Sequence, residues 1–446
     1  NLFHLNPDDI ANILCTTFNK MMVLVVTLTD KHQACPYCGF TAPKIKEYVT
    51  KEITHSALTT QKCIIKYRAR RYKCSCCGKT YYEFNPFVFK SQKISILTVH
   101  NILKDLKDFN ETFTSVARRY HVSPTSVSTI FDKHVDIGRN PLPEIINFDE
   151  VYAFKSEKSK YVCVLLDFKK QIPVDVLPNR KKEYLLNYFQ KIPLEERKKV
   201  KYACSDMYEV YRDVVHKVFP SCCMLLDYFH LSQDFHRKMN EVRIKVMKGY
   251  KDNKASDEYY LLKKFNWLLF KNPEDEDKYG RLFDVERERK YNSHFKSYMN
   301  YYDLRKKLLE INNDLTICYS LKLELVDFYS KSTIDNAKVN LENLIRSCID
   351  TNIDEMIAFS NNLINWKQEI INSFTIVGTE YKVEADKGQV VVCNKKVNNA
   401  IIENRNKIIK CIKNNANGYT NWSRFRNRVM YVLDPNATFS LEPREK

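Results

Sequence analysis

The order of strand-like and helix-like segments between residues 144 and 237 limits the fold more than any other feature of this chain. Three strand-like segments, EIINFDEVYAF, KYVCVLLDF and QIPVDVLP, follow one another with short polar turns between them. A helix at about residues 181–190, a strand over KVKYACS, a second helix, a strand over CCMLLD and a long helix from Phe229 complete the series. This order predicts an α/β domain built on a mixed sheet.

Two acids occupy the positions where a ribonuclease-H-like fold, which has this order of elements, carries a catalytic site. Asp149 lies in the middle of the first strand and Asp206 directly after the fourth. A carboxylate inside an apolar strand is costly unless it is hydrated, paired or bound to metal, and paired carboxylates suit Mg²⁺. Glu150 is the alternative to Asp149, but adjacent side chains of a strand point to opposite faces, and we choose Asp149.

The third carboxylate of such a site is expected on a helix that packs against the sheet. Glu403 is the one acid between residues 395 and 428, a segment with nine Lys or Arg residues. Its predicted helix face is shared by Asn399, Asn406 and Lys410, whereas Ile401, Ile408 and Ile412 line another side. We interpret Glu403 as a metal ligand flanked by residues that hold the DNA backbone; the alternative is an ion pair with Lys407 or another nearby base.

Two Cys-x-x-Cys-Gly motifs near the start of the sequence predict a zinc site. The thiolates of Cys35, Cys38, Cys74 and Cys77 can surround one ion at roughly 2.3 Å, and such a closed four-thiolate site is structural. The segments between the motifs alternate like strands, which predicts a zinc ribbon. The alternatives are Cys76 in place of Cys77, or competition from Cys63 or His55.

Three short helices after residue 94 predict a helix-turn-helix. They cover residues 95–107 and 112–120, and a third begins at Pro124 with Ser123 as its N-cap. The residues predicted to pack inward are Val116, Ala117, Val122, Val127 and Ile130. Those left free to approach the major groove of DNA are Thr125, Ser126, Ser128 and Thr129.

The charge of the chain indicates a polyanionic partner, because the formal net charge is +18 and the pI is near 9.1. Nine Lys or Arg residues stand beside a single acid both in residues 62–93 and in residues 395–428, with aromatic residues among them. This mixture predicts two DNA-binding surfaces. The side chains predicted to contact DNA are Arg68, Arg70, Arg71, Lys73, Thr125, Ser126, Ser128, Asn399, Asn406, Lys410, Arg424 and Arg426.

Length and the remaining composition indicate a protein of several domains without disulfides. A chain of 446 residues exceeds what one hydrophobic core usually supports. Its fifteen cysteines, an odd number, do not form the even framework of a small secreted scaffold. The longest apolar run, MMVLVV, is too short to cross a bilayer and no charged-then-apolar leader opens the sequence. We therefore expect a cytoplasmic, nucleoid-associated bacterial protein with no membrane partner.

Together the motifs resemble the ISL-three family of bacterial insertion-sequence transposases over nearly the full length of the chain. The matching pieces are CPYCG, CSCCGKTYYE, INFDE, CSDMYEVY, LLDYFHL and NNAIIENRNKIIKCIKNNANGYTNWSRFRNR. The resemblance implies a zinc ribbon, a helix-turn-helix and a catalytic domain of ribonuclease-H-like fold, with Asp149, Asp206 and Glu403 as its triad. It also implies double-stranded DNA as the substrate, both as transposon ends and as target, and a homodimer or higher assembly.

The predicted organisation has five segments. These are a zinc ribbon (1–93), a helix-turn-helix (94–142), a first part of the catalytic core (143–237), a mainly helical insertion (238–394) and a last part of the core that carries Glu403 (395–446). In the predicted mechanism, two Mg²⁺ or Mn²⁺ ions roughly 4 Å apart are bridged by Asp149, while Asp206 and Glu403 each complete one ion. Water attacks the phosphodiester at the end of the element and frees a 3′ hydroxyl. This hydroxyl then attacks target DNA.

The sequence leaves open the roles of three residues and two alternative functions. His230 and Asp227, just after the last core strand, either orient a phosphate or water or form hydrogen bonds within the fold. Arg180 is interpreted as a surface cation. The rival functions are a catalytically silent, transposase-derived DNA-binding protein and a stand-alone nuclease of ribonuclease-H-like fold.

Overall fold

The computed structural model describes residues 5–31, 34–55, 61–90, 92–154, 159–383 and 390–444. After a 3₁₀ turn at Pro7–Asp9, its first part is a five-stranded sheet of order β1-β2-β4-β3, in which β5 pairs with β4. The strands are β1 (Ile10–Phe18), β2 (Met21–Leu28), β3 (Lys44–Thr54), β4 (Lys62–Lys73) and β5 (Thr80–Tyr82). β3 and β4 are the predicted antiparallel strands. The hairpin of β1 and β2 is additional, and β2 runs parallel to β4.

Three helices follow this sheet at the predicted places. They are α1 (Ile96–Asp105), α2 (Phe113–Arg119) and α3 (Pro124–His134). Each begins after a hydroxyl residue whose side chain accepts a backbone N–H of the first turn, namely Ser95, Thr112 and Ser123. Val116, Ala117, Val127 and Ile130 are buried between the helices and Val122 packs at their edge. The three predicted helices and their inward-facing residues are thus confirmed.

The central sheet has the order β10-β9-β6-β7-β8. Its strands are β6 (Ile145–Val151), β7 (Val162–Asp167), β8 (Pro173–Leu177), β9 (Tyr202–Ser205) and β10 (Cys223–Leu226). β6, β7 and β8 form an antiparallel meander, whereas β6, β9 and β10 are parallel. The connecting helices α4 (Lys182–Gln190), α5 (Leu194–Arg197) and α6 (Glu209–Val218) accompany it. This mixed α/β arrangement is consistent with a ribonuclease-H-like domain.

A helical region with its own apolar core follows the sheet. Its helices are α7 (Tyr228–Lys248), α8 (Asp257–Lys264), a 3₁₀ helix (Asn266–Phe270), α9 (Tyr301–Glu310), α10 (Asn313–Lys331), α11 (Ala337–Asp350), α12 (Asp354–Asn365) and α13 (Lys367–Asn372). Two short hairpins interrupt it, β11 (Glu276–Asp277) with β12 (Gly280–Arg281) and β13 (Lys290–Asn292) with β14 (Ser297–Met299). No helix within the described ranges is both long and apolar enough to cross a membrane.

An antiparallel hairpin departs from the mainly helical prediction at the end of this region. It consists of β15 (Ile376–Val383) and β16 (Val390–Lys396). Both strands are rich in β-branched residues, which favour extended backbone. The hairpin leads directly into the last two helices, α14 (Ala400–Asn415) and α15 (Trp422–Leu433).

α14 and α15 cover one face of the central sheet and also hold the three amino-terminal helices. Ile402 and Ile409 of α14 share an apolar cluster with strands β7 and β8. The fully buried Arg428 of α15 donates from Nη2 to the carbonyls of Asp108 and Glu111, between α1 and α2, at 2.8 and 2.7 Å. Lys107 donates to two carbonyls of the segment that follows α15. The three helices are therefore fixed to the central sheet rather than joined to it by a loop alone.

Candidate active site and metal centres

Three parallel strands of the central sheet have acids at or just after their carboxyl ends, at the same edge. Asn147 of β6 lies opposite Cys204 of β9, and the register continued by two residues sets Asp149 beside Asp206. The last residue of β10 pairs with the last residue of β9, and Asp227 follows it. The carboxyl ends of β6, β9 and β10 thus bring three carboxylates together.

Helix α14 brings Glu403 to this edge. Asn406 Nδ2 donates to Asp149 Oδ2 at 2.8 Å, and Asn399 Nδ2 donates to the carbonyl of Phe148 at 3.3 Å. These two amides lie before and after Glu403 along the chain. Asn147 Nδ2 also donates to Asn399 Oδ1 at 2.6 Å. The start of α14 is therefore bonded along β6, with Glu403 between the bonded residues.

Glu403 forms a compact cluster with two residues whose role the sequence left open. One ligand atom each from Asp227, His230 and Glu403 lie within 4.8 Å of one another, and His230 Nε2 is 3.8 Å from Asp227 Oδ2. Asp206 Oδ1, Asp227 Oδ2 and His230 Nε2 are buried and have no hydrogen-bond partner in the described part of the chain. Buried polar atoms are normally paired, so this group of atoms has the chemistry of a cation site.

The predicted triad is distributed over this edge rather than packed into one cluster. Among the described residues, the ligand groups with all atoms within 4.8 Å are the set Asp227, His230 and Glu403 and a set of four cysteines. Asp149, Asp206 and Glu403 do not form such a group by themselves. Strand register sets Asp149 beside Asp206, and Asp227 and His230 are the residues that cluster with Glu403.

Burial makes the site unfavourable for negative charge when no cation is present. Burial raises the pKa of Asp149 to about 7, and the neighbouring carboxylate of Asp206 adds to the effect. Burial likewise raises the pKa of Asp206 and of Asp227, against the opposing influence of His230. Carboxylates desolvated in this way are stabilised in their charged form by a bound cation.

Glu150, the alternative to Asp149 in the sequence analysis, forms a contact of its own. Its carboxylate forms an ion pair with Arg180. The guanidinium of Arg180 lies between two aromatic rings, 4.8 Å from the centroid of Tyr161 and 4.5 Å from that of Tyr208. Arg180 was interpreted as a surface cation, but it is part of this edge, since its charge also lowers the pKa of Asp206.

The four predicted zinc ligands come together in the amino-terminal sheet. Cys35 and Cys77 Sγ are 3.7 Å apart, and Cys38 and Cys74 Sγ are 3.5 Å apart. Four thiolates at about 2.3 Å from one tetrahedral ion would be separated by about 3.8 Å. The spacing is therefore compatible with zinc. Backbone N–H donation from Cys77 to the sulfur of Cys74 lowers the pKa of Cys74 to about 7. The pKa values of Cys38 and Cys77 are instead raised, because burial and the neighbouring sulfurs disfavour further negative charge.

Two identical backbone turns create this spacing. Gly39 N–H donates to the carbonyl of Cys35 at 2.9 Å, and Gly78 N–H donates to that of Cys74 at 3.0 Å. The two glycines have φ values of 74° and 72°, a region that strongly favours glycine. The Gly that ends each motif thus permits the turn that places two sulfurs side by side.

Comparison with known proteins identifies the family of the chain. The sequence profile of a transposase family, the DDE transposases of the ISL3 type, matches residues 146–385. The chain belongs to this family. Over 411 residues, 92% of this chain and 91% of the relative, it is also 19% identical to the transposase for insertion sequence element IS1001 of Bordetella parapertussis.

In this transposase the alternative zinc ligands occupy other positions. Cys76 is exposed, and Cys63 is buried in the apolar core beside β4. His55 Nδ1 lies 2.9 Å from Ser95 Oγ, at the cap of α1. The group of four sulfurs contains none of these residues.

The transposase holds several of the side chains predicted to bind DNA within its own fold. Arg70 is buried and its Nη1 is 2.8 Å from Glu83 Oε2. Arg424 pairs through two nitrogens with Asp132. Arg426 donates to Asp175 and to the carbonyl of Ile137. Asn399 and Asn406 are buried against β6. All five side chains thus make contacts within the protein, and a role for them in DNA binding stays a prediction.

Other predicted contact residues of the transposase remain at its surface. Arg68 is exposed and stacks on Tyr48 at 4.4 Å, whereas Arg71 is half-buried and pairs with Glu47. Lys73, Thr125, Thr129 and Lys410 are exposed. Ser126 and Ser128 are half-buried; their hydroxyls bond to Ser123 Oγ and to the Thr125 carbonyl at the start of α3.

Proposed function

We propose that this transposase binds the terminal inverted repeats of an insertion sequence, cuts the DNA beside them and joins the freed ends to target DNA. In this proposal Asp149, Asp206 and Glu403 hold two Mg²⁺ or Mn²⁺ ions. The observation that carries it is the set of buried, unpaired ligand atoms at the edge where β6, β9 and β10 end.

The donors at this edge fit hard divalent cations. Four of the five are carboxylates, the ligands that Mg²⁺ and Mn²⁺ prefer, and the fifth is the imidazole of His230. Burial raises the pKa values of Asp149, Asp206 and Asp227, so their charged forms are disfavoured when no cation is bound. When bound, such cations activate an attacking oxygen and stabilise the leaving oxygen in phosphodiester chemistry.

The residues around the carboxylates have different roles in positioning them. Asn406 fixes the orientation of Asp149, and Asp227 and His230 are placed to complete the ligand set beside Glu403. The N-terminal end of α14 also directs backbone N–H groups toward the site; the backbone amide of Asn399 lowers the pKa of Asp227. The site therefore directs its acids toward one place, where a bound cation would stabilise their charged forms.

We propose that the amino-terminal elements recognise the DNA ends, with residues 1–93 as a zinc ribbon around one structural Zn²⁺ and α1–α3 within residues 94–142 as a helix-turn-helix. Supporting this, a polar cleft of about 420 Å³ lies between α2 and the loop that joins α14 to α15. Its lining includes Arg118, Thr114, Asn415, Asn417 and Thr420. In this proposal the cleft and the exposed Lys410 contact the phosphate backbone.

The decisive experiment is a cleavage and strand-transfer assay on DNA that carries the element's ends, with added Mg²⁺ or Mn²⁺. Asp149→Asn, Asp206→Asn and Glu403→Gln are each expected to lower cleavage at least about a hundredfold while end binding is retained. Glu195→Gln is the matched control, because that exposed carboxylate pairs with Lys198 far along the surface. Wild-type levels of cleavage in all three variants would refute the assignment, and a wild-type chain that binds ends without cutting would be a silent DNA-binding protein.

A further inference from the structure

A row of aromatic rings and cations extends from the carboxylate edge across the end of the β6–β7 hairpin. Val151 of β6 pairs with Val162 of β7. Tyr152 follows Val151 in the chain, and Tyr161 precedes Val162. The rings of Tyr152 and Tyr161 meet edge to face, with centroids 5.7 Å apart. They remain 49% and 39% exposed, although large aromatic side chains contribute most when they are buried.

Each ring in this row is paired with a cation. Lys413 Nζ lies 5.2 Å from the centroid of Tyr152, and the Arg180 guanidinium lies 4.8 Å from that of Tyr161. The guanidinium of Arg180 also contacts the ring of Tyr208 and forms an ion pair with Glu150. The order along the surface is therefore cation, ring, ring, cation, and the guanidinium end adjoins Asp206.

The same row leads away from the site toward the cleft beside α2. Lys413 belongs to the last turn of α14, and the loop that follows this helix lines the cleft. One side of the row thus adjoins the carboxylates and the other adjoins the surface proposed to hold the DNA backbone. The tyrosines therefore lie between these two surfaces.

From this arrangement we infer that Tyr152 and Tyr161 form a stacking platform for unpaired bases of the DNA strand at the cleavage site, with Arg180 and Lys413 attracting its phosphates. Bases inside a duplex are stacked on each other, so exposed rings can receive only bases that have left the helix. Alternating rings and cations are how proteins bind single strands without reading sequence. The inference rests on the proposed function, because it names the form of DNA that the same site accepts.

The test compares two fluorescent DNAs of arbitrary sequence in buffer without added Mg²⁺ or Mn²⁺. One is a forked duplex with unpaired ends, and the other is a blunt duplex of the same paired sequence. Tyr152→Ala and Tyr161→Ala are each expected to weaken binding to the fork about tenfold and to leave binding to the blunt duplex unchanged. Tyr152→Phe and Tyr161→Phe keep the ring and should bind the fork like the wild type.

A matched pair of tyrosines serves as the control. Tyr291 and Tyr298 of the β13–β14 hairpin also meet edge to face, at 5.4 Å, and are 59% and 68% exposed. Their substitution by Ala should leave fork binding unchanged. An adenine analogue whose fluorescence falls on stacking, placed at the first unpaired position, should be quenched by the wild type and not by the Tyr161→Ala variant.

Three results would overturn the inference. These are fork binding unaffected by both Ala substitutions, an equal loss on fork and blunt duplex, and a change in oligomeric mass without a change in fork binding. A failure of the proposed function is distinguishable, because a wild-type chain that does not cut DNA carrying the element's ends in the presence of Mg²⁺ or Mn²⁺ refutes that function whatever the tyrosine variants do. Cutting that is normal in both Ala variants, with normal fork binding, refutes the platform alone.

Discussion

Asn406 Nδ2 donates a hydrogen bond of 2.8 Å to Asp149 Oδ2, although 257 positions separate the two residues. The bond joins helix α14, which carries Glu403, to strand β6, which carries Asp149. Both partners are buried, so the bond is protected from competition by water. The distance between the strand carboxylate and the helix carboxylate is thereby fixed before any cation or DNA is bound.

Asn406→Ala should raise the concentration of divalent metal that DNA cleavage requires. Loss of the amide frees Asp149 to rotate, and removal of a residue that orients a metal ligand typically costs about ten- to a hundredfold in metal affinity. The measurement is the Mg²⁺ or Mn²⁺ concentration that gives half-maximal cleavage, which should rise by that factor. Asn404→Ala, on the exposed side of the same helix, should leave it unchanged. A midpoint equal to that of the wild type in both variants would contradict a positioning role.

The stability of the metal-free protein should fall with rising pH because of Asp149. Its pKa is raised to about 7 in the folded chain, against about 3.9 in an unfolded one. Between these values the folded state binds more protons than the unfolded state, so the free energy of unfolding decreases as pH rises through this window. Wild type and Asp149→Asn should be similar near about pH 4. Above about pH 7 the wild type should be less stable by up to about 4 kcal/mol, from roughly three pKa units.

Urea unfolding at several pH values checks this expectation. The difference between wild type and Asp149→Asn is the quantity to follow, because all other groups titrate in both. Asp213→Asn is the control of opposite sign, since Lys182 lowers the pKa of the exposed Asp213. Addition of Mg²⁺ above about pH 7 should stabilise the wild type more than the Asn variant. A difference that does not change with pH would show that Asp149 titrates normally.

Removal of one thiolate from the cysteine cluster should unfold the amino-terminal sheet. Cys35→Ser leaves three thiolates for zinc, and a structural zinc site contributes folding energy directly. The expected result is loss of bound zinc, measured by elemental analysis, and rapid proteolysis within residues 5–90 while the central sheet resists. Cys76→Ser is a strict control because it lies between two ligands of the same turn but outside the cluster. Equal zinc content in both variants would exclude Cys35 as a ligand.

Arg70→Met should destabilise the amino-terminal sheet far more than Arg71→Met. Arg70 and Glu83 form a buried ion pair at 2.8 Å, with 7% and 6% of their side chains exposed. Removal of one partner leaves a buried charge and costs about 3–5 kcal/mol. Arg71 pairs with Glu47 near the surface, where such pairs are worth about 1 kcal/mol or less. Denaturant unfolding of the two variants measures the difference, and equal destabilisation would count against this burial argument.

Local patterns in the sequence determined the elements that depend on neighbouring residues. Apolar alternation identified β6 to β10 in their correct order, helical patterning located α1 and α2, and the cap at Ser123 identified the start of α3. The spacing of the two cysteine motifs determined which sulfurs come together, because each pair lies on one turn. Asp149 and Asp206 could be chosen because the order of elements predicts that the first and fourth strands are neighbours, and β6 does pair with β9.

Tertiary packing decided the features that depend on how distant elements meet. α14 contains adjacent isoleucines at 401–402 and 408–409, so the sequence leaves its rotation about the helix axis ambiguous. The structure buries Ile402, Ile409 and Asn406, and the amide of Asn406 donates to Asp149. A rotation of one residue, about 100°, would instead turn Asn406 away from β6. The same long-range packing brings Asp227 and His230 to Glu403. It also pairs Arg424 with Asp132 and Arg426 with Asp175. The sequence could not predict these contacts, because each joins residues that are far apart in the chain.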